Sequence, residues 1–140
     1  MQRYRFVFAS RLRQQGSSMV EFALVFMIFL MMAVGVLEIG RGIWAYNTLA
    51  HAARQGARFA MIRGSQNPAT ADQIRTVVRN AAVGLNPSLI TVTTTWPSGV
   101  ARGNEVRLAV RYTMPLVTGQ LVLRSAQMPL GANTRAILAN

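Results

Sequence analysis

The chain has 140 residues, enough for one small domain, and it contains no cysteine. Disulfides, thiolate metal sites and thiol catalysis are therefore excluded, and the redox compartment stays undetermined. The net charge of +11 comes from arginine alone. Such a charge can indicate nucleic acid or anionic lipid as a partner. However, Arg3, Arg5, Arg11 and Arg13 precede an apolar segment, where positive residues set membrane topology, and the other arginines are scattered.

An unbroken apolar run extends from Phe22 to Leu37. Counted from Met19, the segment approaches the roughly 20 residues that cross a bilayer. It is too long for the core of a secretory signal (about 7–15 residues), and no small-x-small cleavage site follows it, so we expect a retained anchor. The arginines before it, with only Arg41 soon after it, predict an N-terminus inside the cell and a C-terminus outside. The alternative is a buried helix of a soluble protein.

One acid, Glu21, lies at the start of this run. A charged carboxylate at the bilayer centre costs roughly 2.5–3.5 kcal/mol, so its position indicates a cationic partner. Cleavage after Gly16 would supply one, because the new amine of Ser17 would lie one helical turn from Glu21. The alternative is an unpaired carboxylate that reaches the inner headgroups.

The helix is predicted to run from about Ser17 to Ile62, with Gly40 and Gly42 as a candidate bend and Gly64 as the stop. Glu38 and Arg41 are i,i+3 neighbours, a pair worth about 0.2–0.5 kcal/mol on a helix surface. Apolar residues repeat at spacings of three and four: Ile39, Ile43, Tyr46, Ala50, Ala53, Ala57 and Ala60. This stripe packs either on the protein's own sheet or on a neighbouring helix. Trp44 is either a membrane-interface anchor or a core residue.

The remaining residues predict a small head. A short amphipathic helix is expected over 70–83, capped by Thr70. Strands are expected at 89–96, at 105–113 and near 134–139, whereas 116–123 is ambiguous between helix and loop. The predicted fold is α+β: a long N-terminal membrane-spanning helix continues into a pilin-like head with a short helix and a three- to four-stranded antiparallel sheet.

Candidate catalytic residues are few. His51 is the only histidine, and no acid lies within one helical turn of it. The four acids fall on different elements, so the sequence predicts no metal site, no cofactor and no enzymatic activity. A second hypothesis is a single-pass anchored module that binds DNA, anionic lipid or acidic polymer. It requires one basic patch of Arg102, Arg107, Arg111 and Arg124, but only Arg107 and Arg111 share a strand face.

Three motifs around the apolar helix resemble those of a known family. Residues 16–22 (GSSMVEF) look like a prepilin-peptidase site, with Gly16 before the cut and Glu21 at the fifth mature position. Residues 38–41 (EIGR) resemble the acid-aromatic-Gly-Arg signature of TadE-like proteins, and residues 53–60 (ARQGARFA) are similar to that family's Ala-Arg-Glu-Gly-Ala-Arg-Tyr-Ala run. Ile39, Gln55 and Phe59 depart from the family pattern.

The resemblance implies a minor pilin or pseudopilin of the tight-adherence (Tad, Flp-type) type IV pilus, a system of adhesion and secretion. It implies a leader (1–16) that a prepilin peptidase removes between Gly16 and Ser17, a helix (17–63) and a periplasmic head (64–140). Glu21 is then the assembly acid. The other family-motif residues are Phe22, Glu38, Gly40, Arg41, Arg54, Gly56 and Arg58. The implied partners are the peptidase, other Tad pilins and the assembly platform in the bacterial inner membrane, without specific nucleic acid. Entry into the pilus itself stays open.

Overall fold

The computed structural model describes residues 5–64, 66–117, 119 and 126–139, with side chains from residue 16 onward. Helix α1 spans Arg5–Arg63 and helix α2 spans Ala71–Ala81. A short 3-10 helix at Pro87–Leu89 precedes three strands, β1 (Ile90–Thr95), β2 (Glu105–Pro115) and β3 (Gln127–Ile137). The predicted α+β class is confirmed: a long apolar N-terminal helix, one short helix and a three-stranded antiparallel sheet in the described residues.

The chain forms two compact units, Met1–Leu37 and Glu38–Asn140. In the first unit, α1 begins at Arg5, earlier than the predicted start at Ser17. The segment before Ser17 has no proline and is rich in residues with good helix propensity, which explains the longer helix. At the other end α1 stops at Arg63, as predicted, because Gly64 takes a left-handed conformation with φ of 65°.

In the second unit, α2 and the buried face of the sheet enclose a core with one face of α1. Thr70 caps α2 as predicted: its hydroxyl accepts from the Gln73 backbone N–H, and the Gln73 side chain accepts from the Thr70 N–H. The largest fully buried side chains are Leu49, Ile74, Val78, Ile90, Val106, Leu108, Val110 and Met114. They come from both helices and from two neighbouring strands, so the head is organised around one core.

The sheet has the order β1-β2-β3. Ile90 pairs with Tyr112 at one end of β1, and Glu105 pairs with Ile137 across β2 and β3. The prediction placed the last strand near 134–139, but β3 begins at Gln127. Pro129 and Gly131 are unfavourable residues in a strand, so the local sequence pattern does not indicate that β3 starts before 134. The strand forms because it pairs with β2 along the whole length of β2, and an edge strand tolerates proline. Most of the ambiguous stretch 116–123 lies outside the described residues.

The predicted stripe on α1 was partly wrong. Ala53, Ala57 and Ala60 are buried against the head, but Ile39, Ile43 and Tyr46 are exposed, and Ala45 and Leu49 are buried instead. The buried face is rotated by part of a turn from the predicted stripe. This face is buried because α1 packs on the head mainly through small residues, which allow a close approach of the backbones, and not through its largest apolar side chains. Trp44 is half-exposed, and its ring lies against Gly84.

Candidate processing and assembly sites

The predicted processing site lies on α1 in the first unit. Ser17 and Glu21 are four residues apart on this helix, so their side chains share one face, and both residues are exposed. A Cβ built at Gly16 would meet no described atom within 4 Å. Phe22 is exposed, and its ring stacks on that of Phe26 with centroids 5.8 Å apart. The described residues that follow the predicted cut are therefore exposed, and no other described part of the chain covers them.

The helix that follows presents a continuous apolar surface. The large apolar side chains from Met19 to Leu37 are exposed, apart from Val34, which is partly buried. Among the described residues, one segment within Gly16–Arg63 is long and apolar enough to cross a membrane. Apolar surface on this scale requires lipid or other helices around it. The segment therefore suggests membrane anchoring.

The second motif contacts the end of strand β2. The Glu38 carboxylate Oε1 accepts a hydrogen bond of 2.7 Å from the Val117 backbone N–H. Arg41 Nη2 donates to the Pro115 carbonyl oxygen at 3.1 Å. The two side chains, one turn apart on α1, thus hold both ends of a three-residue backbone segment. Because the partners are backbone atoms, no side-chain pattern could have revealed Pro115 and Val117 in the sequence.

The third motif divides into an inward and an outward part. Ala53 and Ala57 are buried, and Gly56 faces α2 and β2 so closely that a Cβ built there would lie 2.5 Å from Val78 Cγ2 and 3.0 Å from Leu108 Cδ2. Arg54 and Arg58 are exposed. Gly56 therefore allows the close packing of α1 on the head, and the motif's two arginines take no part in that packing.

Among the described residues, three arginines and one acid share the outer face of the sheet. Arg107 and Arg135 both pair with Glu105, with N–O distances of 2.9 Å and 3.5 Å. The hydrogen bond from Arg107 holds the pKa of Glu105 below its usual value. Arg111 lies on the same outer face of β2, Arg102 lies in the loop before β2, and Arg124 lies outside the described residues. Glu105 thus offsets one of the three positive charges that Arg107, Arg111 and Arg135 bring to this face.

His51 is exposed and lines a shallow groove of about 440 Å³ beside Trp44, Asn47 and Val83. No group of three or more His, Cys, Asp or Glu residues that could hold a metal ion occurs in the part of the chain that the structure describes. The absence of enzymatic activity stays a prediction.

The described residues thus form an α+β protein in which a long, exposed apolar helix, a candidate membrane span, is followed in the chain by a small head. The family model described as TadE-like protein matches residues 16–58, which confirms the predicted resemblance over this segment. No match was found among curated proteins or among solved structures. The family suggests a protein associated with the Tad pilus, and its members are generally not enzymes.

Proposed function

We propose that this protein is a minor pilin or pseudopilin that a prepilin peptidase cleaves between Gly16 and Ser17 and that takes part in the assembly or priming of a Tad-type pilus. The observation that carries the proposal is the extent of the family match, which begins at Gly16 and includes Glu21 and the whole apolar segment. The matched part thus starts at the residue after which the sequence motif predicts the cut.

Cleavage gives Glu21 a role in assembly. The new ammonium group of Ser17 lies one turn from Glu21 on the same helix, and it can pair with this carboxylate or with that of a neighbouring subunit. In an apolar setting the attraction between the two charges is strong and depends steeply on distance. The pair therefore fixes the register of one subunit against the next within the membrane.

The proposed location follows from the charge around the anchor. The leader carries Arg3, Arg5, Arg11 and Arg13, and positive residues favour the cytoplasmic side of the inner membrane. The head then lies in the periplasm. There, other Tad pilins and the assembly platform are its partners, whereas the peptidase acts on the cytoplasmic side of the membrane.

The test is the mass of the mature N-terminus, measured by mass spectrometry on protein isolated from cells. The wild-type chain is expected to begin at Ser17, and Gly16→Ala is expected to keep the leader, because the peptidase motif requires glycine before the cut. Gly35→Ala is the matched control, since it is a second open glycine of the same helix, and it should be processed normally. A wild-type protein that still carries Arg11 and Arg13 would refute the proposal.

A further inference from the structure

Most described arginines of the second unit, Glu38–Asn140, make a contact with another described residue. Arg41 bonds to the Pro115 carbonyl, Arg63 stacks on Phe59, Arg75 pairs with Asp72, Arg79 bonds to the Ile90 carbonyl, and Arg107 and Arg135 pair with Glu105. Across the described parts of the chain, Arg54 and Arg58 make no hydrogen bond, ion pair or ring contact with another described residue. Two unengaged cations therefore lie one turn apart on α1.

These two arginines point away from the head. Each is two residues from Gly56, and two residues turn an α-helix by about 200°. Because Gly56 contacts Val78 and Leu108, Arg54 and Arg58 lie on the opposite side of the helix. His51, one turn before Arg54, is also exposed, and so is Ile62, one turn after Arg58. The outward face is thus a cationic strip formed by the two arginines, with one apolar side chain, Ile62, one turn beyond it.

We propose that this outward face of α1, formed by His51, Arg54, Arg58 and Ile62, docks an acidic surface of a different protein. The guanidinium groups on adjacent turns fit a pair of carboxylates about 5–6 Å apart, the spacing found on successive turns of an acidic helix. Ile62 supplies an apolar contact at the end of the strip. The inference does not depend on leader cleavage, because these residues are present in the precursor and in the mature chain.

Charge complementarity excludes a second copy of this chain as the partner. The chain has four acidic residues. Glu38 accepts from Val117, Asp72 pairs with Arg75, and Glu105 pairs with two arginines. Glu21 lies at the apolar segment. A second copy has fifteen arginines against four acids in the full chain, and still eleven against four without Arg3, Arg5, Arg11 and Arg13. It would therefore repel this strip, and the partner must bring its own carboxylates.

A lipid surface fits the strip less well than a protein does. Arg54 follows Glu38, the first residue after the apolar segment, by sixteen positions of continuous helix. At 1.5 Å per residue this is about 24 Å along the helix axis. The Debye length at physiological salt is about 8 Å, so headgroups at the level of Glu38 would be screened from Arg54.

The experiment places a photo-crosslinking residue at the exposed position Gln55 of the full chain in living cells. The wild-type background is compared with Arg54→Gln/Arg58→Gln and with Arg102→Gln/Arg111→Gln. The control pair removes the same charge from two other exposed arginines that lack a partner among the described residues. Glutamine keeps a similar helix propensity, and circular dichroism of each purified variant checks that it folds.

We expect an adduct with another protein, whose cross-linked peptide carries two or more Asp or Glu residues. Its yield should fall at least about tenfold in Arg54→Gln/Arg58→Gln and change little in the control pair. Equal losses in both pairs, an unchanged yield in the Arg54/Arg58 pair, no adduct, or an adduct with a second copy of this chain would overturn the proposal. So would binding of phosphatidylglycerol vesicles that depends on Arg54 and Arg58 in the absence of a protein adduct.

Discussion

At the scale of single residues, Glu21 is the side chain on which the proposed assembly role depends most. It is the only acid in the apolar part of α1, and it lies on the same helical face as Ser17. In the proposed pair with the Ser17 ammonium inside the membrane, loss of either member would leave an uncompensated charge, and for a buried pair this costs about 3–5 kcal/mol. The effect of a substitution at Glu21 should therefore appear in assembly and not in the fold of the head.

Glu21→Ala is expected to leave cleavage after Gly16 intact and to abolish co-purification with other pilus components, because the Ser17 ammonium would lose the partner proposed for it. The measurement is a pull-down from detergent-solubilised membranes together with the mass of the mature chain. Asp72→Ala is the control, since it removes one exposed acid from the head. Complexes that survive Glu21→Ala unchanged would argue against the ion pair.

At the scale of the elements, the packing of α1 on the head depends on small residues. Ala45, Ala52, Ala53, Ala57 and Ala60 are buried, and Gly56 approaches α2 and β2 most closely. Added side-chain volume in such a contact costs about 1–3 kcal/mol, since the backbones cannot separate without opening the core. The buried residues of the third sequence motif, Ala53, Gly56 and Ala57, therefore serve close packing of α1 on the head.

Gly56→Val is expected to lower the free energy of unfolding by about 1–3 kcal/mol relative to Gly42→Val. A Cβ at Gly42 meets no described atom within 4 Å, and both glycines lie in α1, so the change in helix propensity cancels in the comparison. Denaturant unfolding of the full chain in detergent, followed by tryptophan fluorescence, measures the difference. Equal stabilities of the two variants would show that Gly56 is not closely packed.

At the scale of the whole molecule, the apolar segment and the basic leader together determine the expected orientation in the membrane. The chain contains no cysteine, so single cysteines report on topology without background. Thr93 lies on the exposed outer face of the sheet, and Gln14 lies in the proposed leader.

Thr93→Cys is expected to react with a membrane-impermeant maleimide in intact spheroplasts, because the proposed topology places the head outside the inner membrane. Gln14→Cys, made in the Gly16→Ala background so that the leader is kept, should react only after lysis. Labelling is measured by the mass shift of the protein on a gel. The reverse pattern would place the head in the cytoplasm and contradict the proposed topology.

The sequence by itself determined the features that depend on local pattern. The apolar run, the end of α1 at Gly64, the cap at Thr70 and the alternation of β2 are all carried by neighbouring residues, and the three motifs were enough to indicate the family. Only the tertiary structure decided which side of α1 is buried, how far β3 extends, and that Glu38 and Arg41 bond to the Pro115–Val117 backbone. These features depend on contacts between residues far apart in the chain, often through backbone atoms, and a local pattern contains no information about such contacts.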